Sequence, residues 1–500
     1  MADGIALGFA SGAGIDRLEI LGAEGRDWIH RPFELDLLLA RFGGPLSREE
    51  VDALVGAPAV VAFGAGPHDR MHGVIETVLH LDSPRSKAQL YVARMIPQVG
   101  LLTKGRRSAI YQDTTVPDLV AKVLESYGLS RGEDFELRLS GSFASPVREY
   151  IVQYQESDWS FLARWLEHEG IFAVFEHHED RTSVVFCDDN LSTPQLHDPP
   201  AIPYRLANNV SSGHVETVWD VGILDRQVAR LVSVADYNYR RPAQVILAAH
   251  RLPAPSFGHV ALYGEHPKDE EQAAALARIR AEEAGAERRV LSATTDRVAL
   301  RAGHRFHLEN HYVAEHDGEW LATGTHFAAG RPVPRAGRDL HATSSSLTAP
   351  ADERRYRATV EAIPTAIAYR PARTTPWPSI HGVLHAHVQS DGAGEVAEID
   401  ELGRYKVRMP FDLATKGGLG ASRWVRKAQP YAGAGYGMHF PLHKGTEVLI
   451  AHIDGDPDRP IIVGAAPHAV TPSPVNRANA TQSVIQTASG IRVEMEDRQS

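Results

Sequence analysis

Cysteine is almost missing from this chain. Among 500 residues only Cys187 carries a thiol, so no intrachain disulfide can form and a cysteine-rich zinc site is excluded. Such usage suits a reducing compartment. Long apolar runs are missing too. Nothing approaches the roughly 18 consecutive apolar residues that read as a membrane-spanning helix. The opening Met1-Ala2-Asp3-Gly4-Ile5 lacks a basic stretch followed by an apolar core, so no signal peptide and no ordinary secretory export are expected. Positive charge is not in excess: Lys and Arg number 52 against 63 Asp and Glu, a formal net charge of −11. A general nucleic-acid binder would usually be basic. No GxxxxGK[ST] loop, HExxH pair or GxSxG elbow occurs, which removes the usual cradles for NTP, catalytic zinc and a nucleophilic serine.

What is present is an ordinary globular balance, 43% hydrophobic and 23% charged. That suffices for several cores, and the length predicts about three domains. The 42 glycines and 31 prolines are spread along the chain and punctuate short strand-like runs. Leu18-Glu19-Ile20 and Phe33-Glu34-Leu35-Asp36-Leu37 alternate at a period of two, and Ala59–Phe63 and Gly73–Val78 add β-branched runs. Ser47 and Glu50 fit a capping box. Residues 1–100 are therefore expected to form an N-terminal β-barrel.

Residues 101–215 predict a mixed α/β section. One helix places Leu119, Val120, Val123, Leu124 and Tyr127 on one face and ends at Gly128. A second is capped by Ser157, carries Phe161, Leu162, Trp165 and Leu166 as its stripe, and ends at Gly170, with a strand from Ile171 following at once. Residues 216–365 return to β-like runs, interrupted by a helix from about Asp269 to Ala284 with glutamates and arginines on its outer side. Pro364, Pro371, Pro376 and Pro378 mark 366–378 as a linker.

Residues 379–470 are the most patterned. Tyr405, Val407 and Met409 alternate with Arg404, Lys406 and Arg408, so one face is apolar and the other a solvated or intersubunit cationic stripe. Short strands and Gly-rich turns over this length fit an OB-fold. The run Gly433, Gly435, Gly437 is read as a structural turn where backbones approach, not as a dinucleotide loop, because position 438 is Met438 and no βαβ context surrounds it. Gly455 and Pro457 are expected to set a tight turn between two buried strands. Beyond a stiff Thr471-Pro472-Ser473-Pro474 spacer, Ile491, Val493 and Met495 alternate with Arg492, Glu494 and Glu496. These residues predict one strand with no partner left in the chain, to be completed by another chain.

Candidate sites are few. On a strand, His304 and His307 diverge and His307 and His311 stand roughly 13 Å apart, whereas His385 and His387 stand about 7 Å apart. All are read as ordinary histidines, with no metal site. Cys187, followed by Asp188, is read as structural because an acidic neighbour raises a thiol pKa. Glu167, Glu169 and Glu176 are read as solvated charges around a helix end, not a glycosidase pair. No catalytic residue and no cofactor are expected.

Three segments together resemble the VgrG family, the valine-glycine repeat spike proteins of type VI secretion systems, which are similar to contractile phage tail hubs and spikes. They are Arg148–Asp158 with Glu169-Gly170-Ile171; Gly403–Arg408 followed by Trp424-Val425-Arg426, Ala428-Gln429-Pro430, the Gly433–Gly437 run, Gly445–Leu449 and Asp454–Pro460; and Gly490–Asp497, similar to the start of the family's C-terminal β-helix. The resemblance implies a mainly β (α+β) fold: two phage-hub-like β-barrel domains with a mixed α/β insertion, an OB-fold domain, and from residue 471 the start of a trimeric intertwined β-helix. It implies a homotrimer capping a hexameric inner-tube protein, with possible tip-capping and effector partners, transient contact with a target membrane, and no nucleic acid. Assembly in the bacterial cytoplasm, then secretion or injection by the machine, goes with it. The family's needle usually runs further than Ser500, where an evolved spike would carry an enzymatic domain. Other readings are an extracellular particle or phage-tail spike, and an OB-type sugar or nucleic-acid binding module.

Overall fold

The computed structural model describes residues 7–497 apart from positions 16, 67, 83–87, 142, 198, 207–214, 254–255, 335–355, 391–393 and 413–422. The chain divides into two units. The first combines residues 1–105, 116–146 and 157–376; the second combines 106–115, 147–156 and 377–500. Among the described residues no helix is long and apolar enough to cross a membrane.

The first unit is built on a twelve-stranded sheet. Its N-terminal part runs Gly8–Ser11, Pro58–Ala62, Arg70–Leu81, Ala88–Ile96, Arg31–Phe42 and Leu18–Trp28 in spatial order. It continues through Gly318–Gly330, Arg357–Pro364, Arg289–Thr295 and Val218–Asp225, while Ala201–Pro203 and Arg305–Glu309 branch from Gly318–Gly330. The two barrel-like sections thus share one ladder, joined where Leu18–Trp28 pairs antiparallel with Gly318–Gly330. Glycine makes that joint. Trp28 lies opposite Gly324 and Phe327 opposite Gly25. A Cβ on Gly324 would stand 2.1 Å from the Trp28 ring, and one on Gly25 would stand 2.2 Å from the Phe327 ring. Each indole or phenyl ring lies flat on a strand that has no side chain there.

Behind the joint sits a buried cation. Arg301 is 1% exposed and lies 4.5 Å from the Phe327 ring centre, 5.4 Å from Phe63 and 5.6 Å from Tyr356. It donates to the Val298 and Leu300 carbonyls and to the Tyr356 hydroxyl. Asp27 accepts from the Ala302 amide at 3.1 Å. Burial raises its carboxyl to about 7, against the pull of Arg301. Aromatics from both halves of the sheet therefore enclose one charge, where loss of a partner is costly.

Four helices belong to the described residues of this unit. Helix α1 (Arg48–Leu54) carries the Ser47/Glu50 capping box. Helix α2 (Val116–Ser126) buries Leu119, Val120, Val123 and Leu124, but Tyr127 falls beyond it and is half exposed, its hydroxyl donating to Asp158 at 2.6 Å. Helix α3 (Asp158–Glu169) is capped by Ser157 and ends at a left-handed Gly170 with φ 73°. The strand after it spans Phe172–His177. Helix α4 (Glu270–Ala286) starts at Asp269. Its arginines do not all face water: Arg280 is 3% exposed and reaches Glu265 and the Glu167 and His168 carbonyls. Residues 366–375, read from prolines as a linker, are held to this unit. Asn190 donates to the Thr365 and Ile367 carbonyls, Arg370 to Glu282 at 2.7 Å and to the Gly170 carbonyl, and Thr375 to Glu167.

The core fixes an acid limit on stability. His304 is 5% exposed, and its Nδ1 accepts from the Arg301 amide at 3.3 Å. Burial, with Arg301 nearby, lowers its pKa from 6.5 to about 3. The folded state favours the neutral ring, so this contribution is complete above pH 6.5 and disappears as pH falls from 6.5 toward 3. One such group removes about 2 kcal/mol of stability between about pH 7.5 and pH 5. In urea unfolding at the two pH values, His304→Asn is expected to lose about that much less than the unaltered chain over the interval; equal losses contradict it.

Candidate functional site

The second unit contains a closed five-stranded barrel, ordered Val383–Gln389, Tyr405–Arg408, Trp424–Lys427, Pro460–Ala465 and Glu447–His452. Tyr405, Val407 and Met409 point inward with Val388, Val425, Val448, Ile450 and Ile462. Their alternating partners are not a uniform solvated stripe. Arg404 is 8% exposed and pairs with Asp400, and Lys406 lies 5.2 Å from the Trp424 ring centre. A hairpin from the middle of the chain joins this unit: Arg107–Tyr111 pairs with Ile151–Glu156. Ile110 packs on the barrel core, and the Val152 amide donates to Asp458 at 2.6 Å. The 101–215 section is thus divided between two units, because these two strands find their apolar cover more than 200 residues away.

Gly455 has φ 75°, and a Cβ there would stand 2.3 Å from Ser379 Oγ. It lies in a reversal between the last two barrel strands, where Asp454 also takes a positive φ of 56°. Pro457 follows, between Asp456, whose carbonyl accepts from the Arg459 amide at 2.9 Å, and Asp458. Ala432–Gly433 and Tyr436–Gly437 form a two-stranded hairpin. Gly433 lies under the Tyr436 ring, Gly437 approaches the Tyr431 carbonyl, and Gly435 turns with φ 77°. Tyr431, Tyr436, Met438 and Phe440 on and beside it are exposed.

The C-terminal segment corrects an expectation. The strand carrying Ile491, Val493 and Met495 is not alone: Arg492–Glu496 pairs antiparallel with Gln482–Gln486 of the same chain. The chain reverses through Thr487–Ile491, where Thr487 Oγ accepts from the Ile491 amide at 3.1 Å and Gly490 takes φ 94°. The partner was hidden because Gln482–Gln486 is short and largely polar. Directly opposed residues share a face, so Ile485, Ile491, Val493 and Met495 line one side. Gln482, Gln486, Arg492 and Glu494 line the other and hydrogen-bond among themselves. The four apolar side chains are 44–68% exposed. A two-stranded ribbon is marginal in water, this one leaves its apolar face exposed, and among the described residues no further strand pairs with either of its edges.

Catalytic chemistry gains little. Glu167 and Glu169 are buried, not solvated, and are partnered by Thr375 and Ser145. Cys187 is buried, which raises its thiol to about 12. His307 pairs with Glu319 at 3.2 Å, His311 stacks on Tyr312, and His385 pairs with Glu447, while His387 lies opposite Glu447 and Arg408. Among the described residues no group of three or more His, Cys, Asp or Glu is placed to hold a metal ion.

Residues 26–332 match the phage tail baseplate hub (GPD) family. The chain belongs to that family. Residues 393–466 match the type VI secretion system/phage-baseplate injector OB domain, so the closed barrel of this hub chain is an OB-fold. The type VI secretion system spike protein VgrG4b of Pseudomonas aeruginosa is 30% identical over 488 residues, which are 94% of this chain and 57% of that protein. VgrG1b of the same organism is 30% identical over 501 residues, 95% of this chain and 62% of that one. The chain therefore spans less than two thirds of either relative. Among solved structures, the E. coli c3393 protein, described as a type VI secretion component similar to the T4 tail proteins gp27 and gp5, matches with a TM-score of 0.65 and 26% identity. The match covers 92% of this chain and 100% of that one.

The geometry at Gly455 gives a direct test. Gly455→Val adds a branched side chain at positive φ and against Ser379, so a loss of about 2 kcal/mol is expected. Gly464→Ala, where a Cβ meets nothing within 4 Å, is expected to be near neutral. Thermal melts of the two proteins compare them; equal melting temperatures contradict the role of Gly455.

Proposed function

We propose that this chain is the structural spike and hub subunit of a contractile injection machine of the type VI secretion kind, acting as a homotrimer. The observation that carries the reading is the ribbon at 482–496, whose apolar face and outer edges need cover that neither of its own strands supplies. Three copies around one axis would turn the three apolar faces inward and pair edge with edge, making Ile491, Val493 and Met495 the strand face at the trimer interface. The exposed Tyr431, Tyr436, Met438 and Phe440 would gain cover in the same assembly.

In this reading the first unit caps the tube. Two barrel-like sections in each of three subunits would present six similar surfaces to a hexameric inner-tube protein. The OB-fold and ribbon would face the target envelope, with tip-capping and effector proteins as further partners and only transient membrane contact. The protein would be assembled in the cytoplasm and leave with the machine. Its work is mechanical, so the reading assigns these residues no reaction and no cofactor; interlocked strands resist sliding because many hydrogen bonds must break together. The two relatives named as type VI spikes favour this over a phage-tail spike or a free extracellular particle. A nucleic-acid-binding role for the OB-fold has no support from the acidic balance of the chain.

Light scattering tests the reading. The purified chain is expected at three times 54.7 kDa, and Ile485→Lys with Val493→Lys is expected to give a folded monomer, because buried lysines at the shared face would cost several kcal/mol. A monomer from the unaltered chain, or a trimer that survives both lysines, contradicts it.

A further inference from the structure

Five histidines gather at one cleft of the first unit. The cleft holds about 500 Å³ and is lined by His68, His177, His178, His197 and His304. A shared metal ion does not explain the gathering. The His68 and His197 rings stack face to face, 3.5 Å between centres with planes 9° apart, and the nitrogens of parallel rings do not converge on one ion. The cluster instead joins two hairpins. One pairs Pro58–Ala62 with Arg70–Leu81, the other Phe172–His177 with Thr182–Cys187. His68 Nδ1 donates to the His177 carbonyl at 3.4 Å, and His72 Nε2 donates to the Glu179 carbonyl at 3.1 Å. The His72 amide donates to Thr182 Oγ1 at 3.1 Å, and His177 Nδ1 shares that hydroxyl at 2.9 Å.

His177 decides how this joint answers acid. It is 6% exposed, and its Nε2 is buried without a hydrogen-bond partner, so a charged ring would go unsolvated there. The titratable groups facing it are Arg301 and His304 from the stretch leading into Arg305–Glu309, His72 from Arg70–Leu81, and His178 from its own hairpin. All four are arginine or histidine. Phe33, from Arg31–Phe42, adds a ring 5.6 Å away. The acids of its own hairpin are already engaged. Glu176 accepts from Arg138 at 2.7 Å, Asp180 accepts from Arg181 at 3.2 Å, and Glu179 lies 3.8 Å from Arg70. Burial, then Arg301, holds the His177 pKa well below the ordinary 6.5. Burial also lowers His178 and, with His68 beside it, His197.

A histidine kept neutral by burial favours the closed joint above pH 6.5 and opposes it as the pH falls below that value. The cleft gives water a route to the ring. We propose that this cluster is an acid-released joint: in mild acid His177 takes a proton by becoming hydrated, which parts the His68 and His72 contacts and separates the two hairpins locally. The charge that His178 and His197 gain over the same interval pushes the same way, because cations gathered around one cleft repel. Nothing in this depends on the proposed assembly.

Hydrogen–deuterium exchange of the full chain tests it, with rates corrected for the intrinsic effect of pH. One histidine that is neutral when closed and ordinary when open shifts the opening equilibrium about tenfold between about pH 7.5 and 5.5. The His72 amide, bonded across the joint, is therefore expected to open about tenfold or more often at the lower pH, while amides of Arg31–Phe42 keep their protection. His177→Phe keeps a ring against Phe33 and removes the charge, so most of the rise should vanish. That change also removes the Thr182 contact, so a reading on the unaltered chain guards against misfolding: the His177 ring C2 hydrogen should lose its protection over the same pH interval as the His72 amide. Equal protection of the His72 amide at both pH values, a rise shared by Arg31–Phe42, the full rise persisting in His177→Phe, or a His177 ring that stays protected while the amide opens would each overturn the proposal.

Discussion

A two-stranded ribbon has two faces and two edges and can bury none of them by itself. The 482–496 hairpin makes that constraint concrete. Its polar face is satisfied internally through Arg492, Glu494, Gln482 and Gln486, whereas Ile485, Ile491, Val493 and Met495 stand in water. Apolar area of this kind is worth about 25 cal/mol for each Å² removed from solvent. Strand edges left open invite pairing with any other chain. Association with copies of itself would resolve both costs, and the proposed function rests on that resolution.

The first unit answers a different demand. Under the proposed reading, a subunit that passes force from a tube to a tip would need its sections to move as one body, and a continuous ladder would do that better than two closed barrels joined by a tether. The joint between Leu18–Trp28 and Gly318–Gly330 is locked by rings resting on glycines, and Arg301 is enclosed by aromatics from both sides. Pulling the halves apart would expose a desolvated guanidinium together with Asp27. The strap at 366–375 adds to this rigidity, because its backbone and side chains are tied to Asn190, Glu167 and Glu282.

How much of this could be read from the sequence depended on range. Local chemistry was legible: Ser47 with Glu50, Ser157 with Gly170, and Asp269 each mark a helix end through bonds spanning a few residues. The alternation of Tyr405, Val407 and Met409 identified a barrel strand, since burial on a pleated strand has a period of two. Long-range partnerships were not legible. Glu167 looked solvated until Thr375, far along the chain, proved to be its donor, and Arg280 looked exposed until the α3 carbonyls claimed it. The strand Ile151–Glu156 sat inside a hub-like motif yet contributes to the OB unit. Gln482–Gln486 carries few of the side chains that mark a strand.

Hydrogen–deuterium exchange of the amides in 482–486 and 492–496 tests the central claim most directly. If copies of the chain complete one another's ribbons, the amides facing away from the hairpin will be protected as strongly as those between its two strands. Exchange of those outward amides at the rate of open backbone, in protein shown to be assembled, would mean the ribbon is not what holds the subunits together.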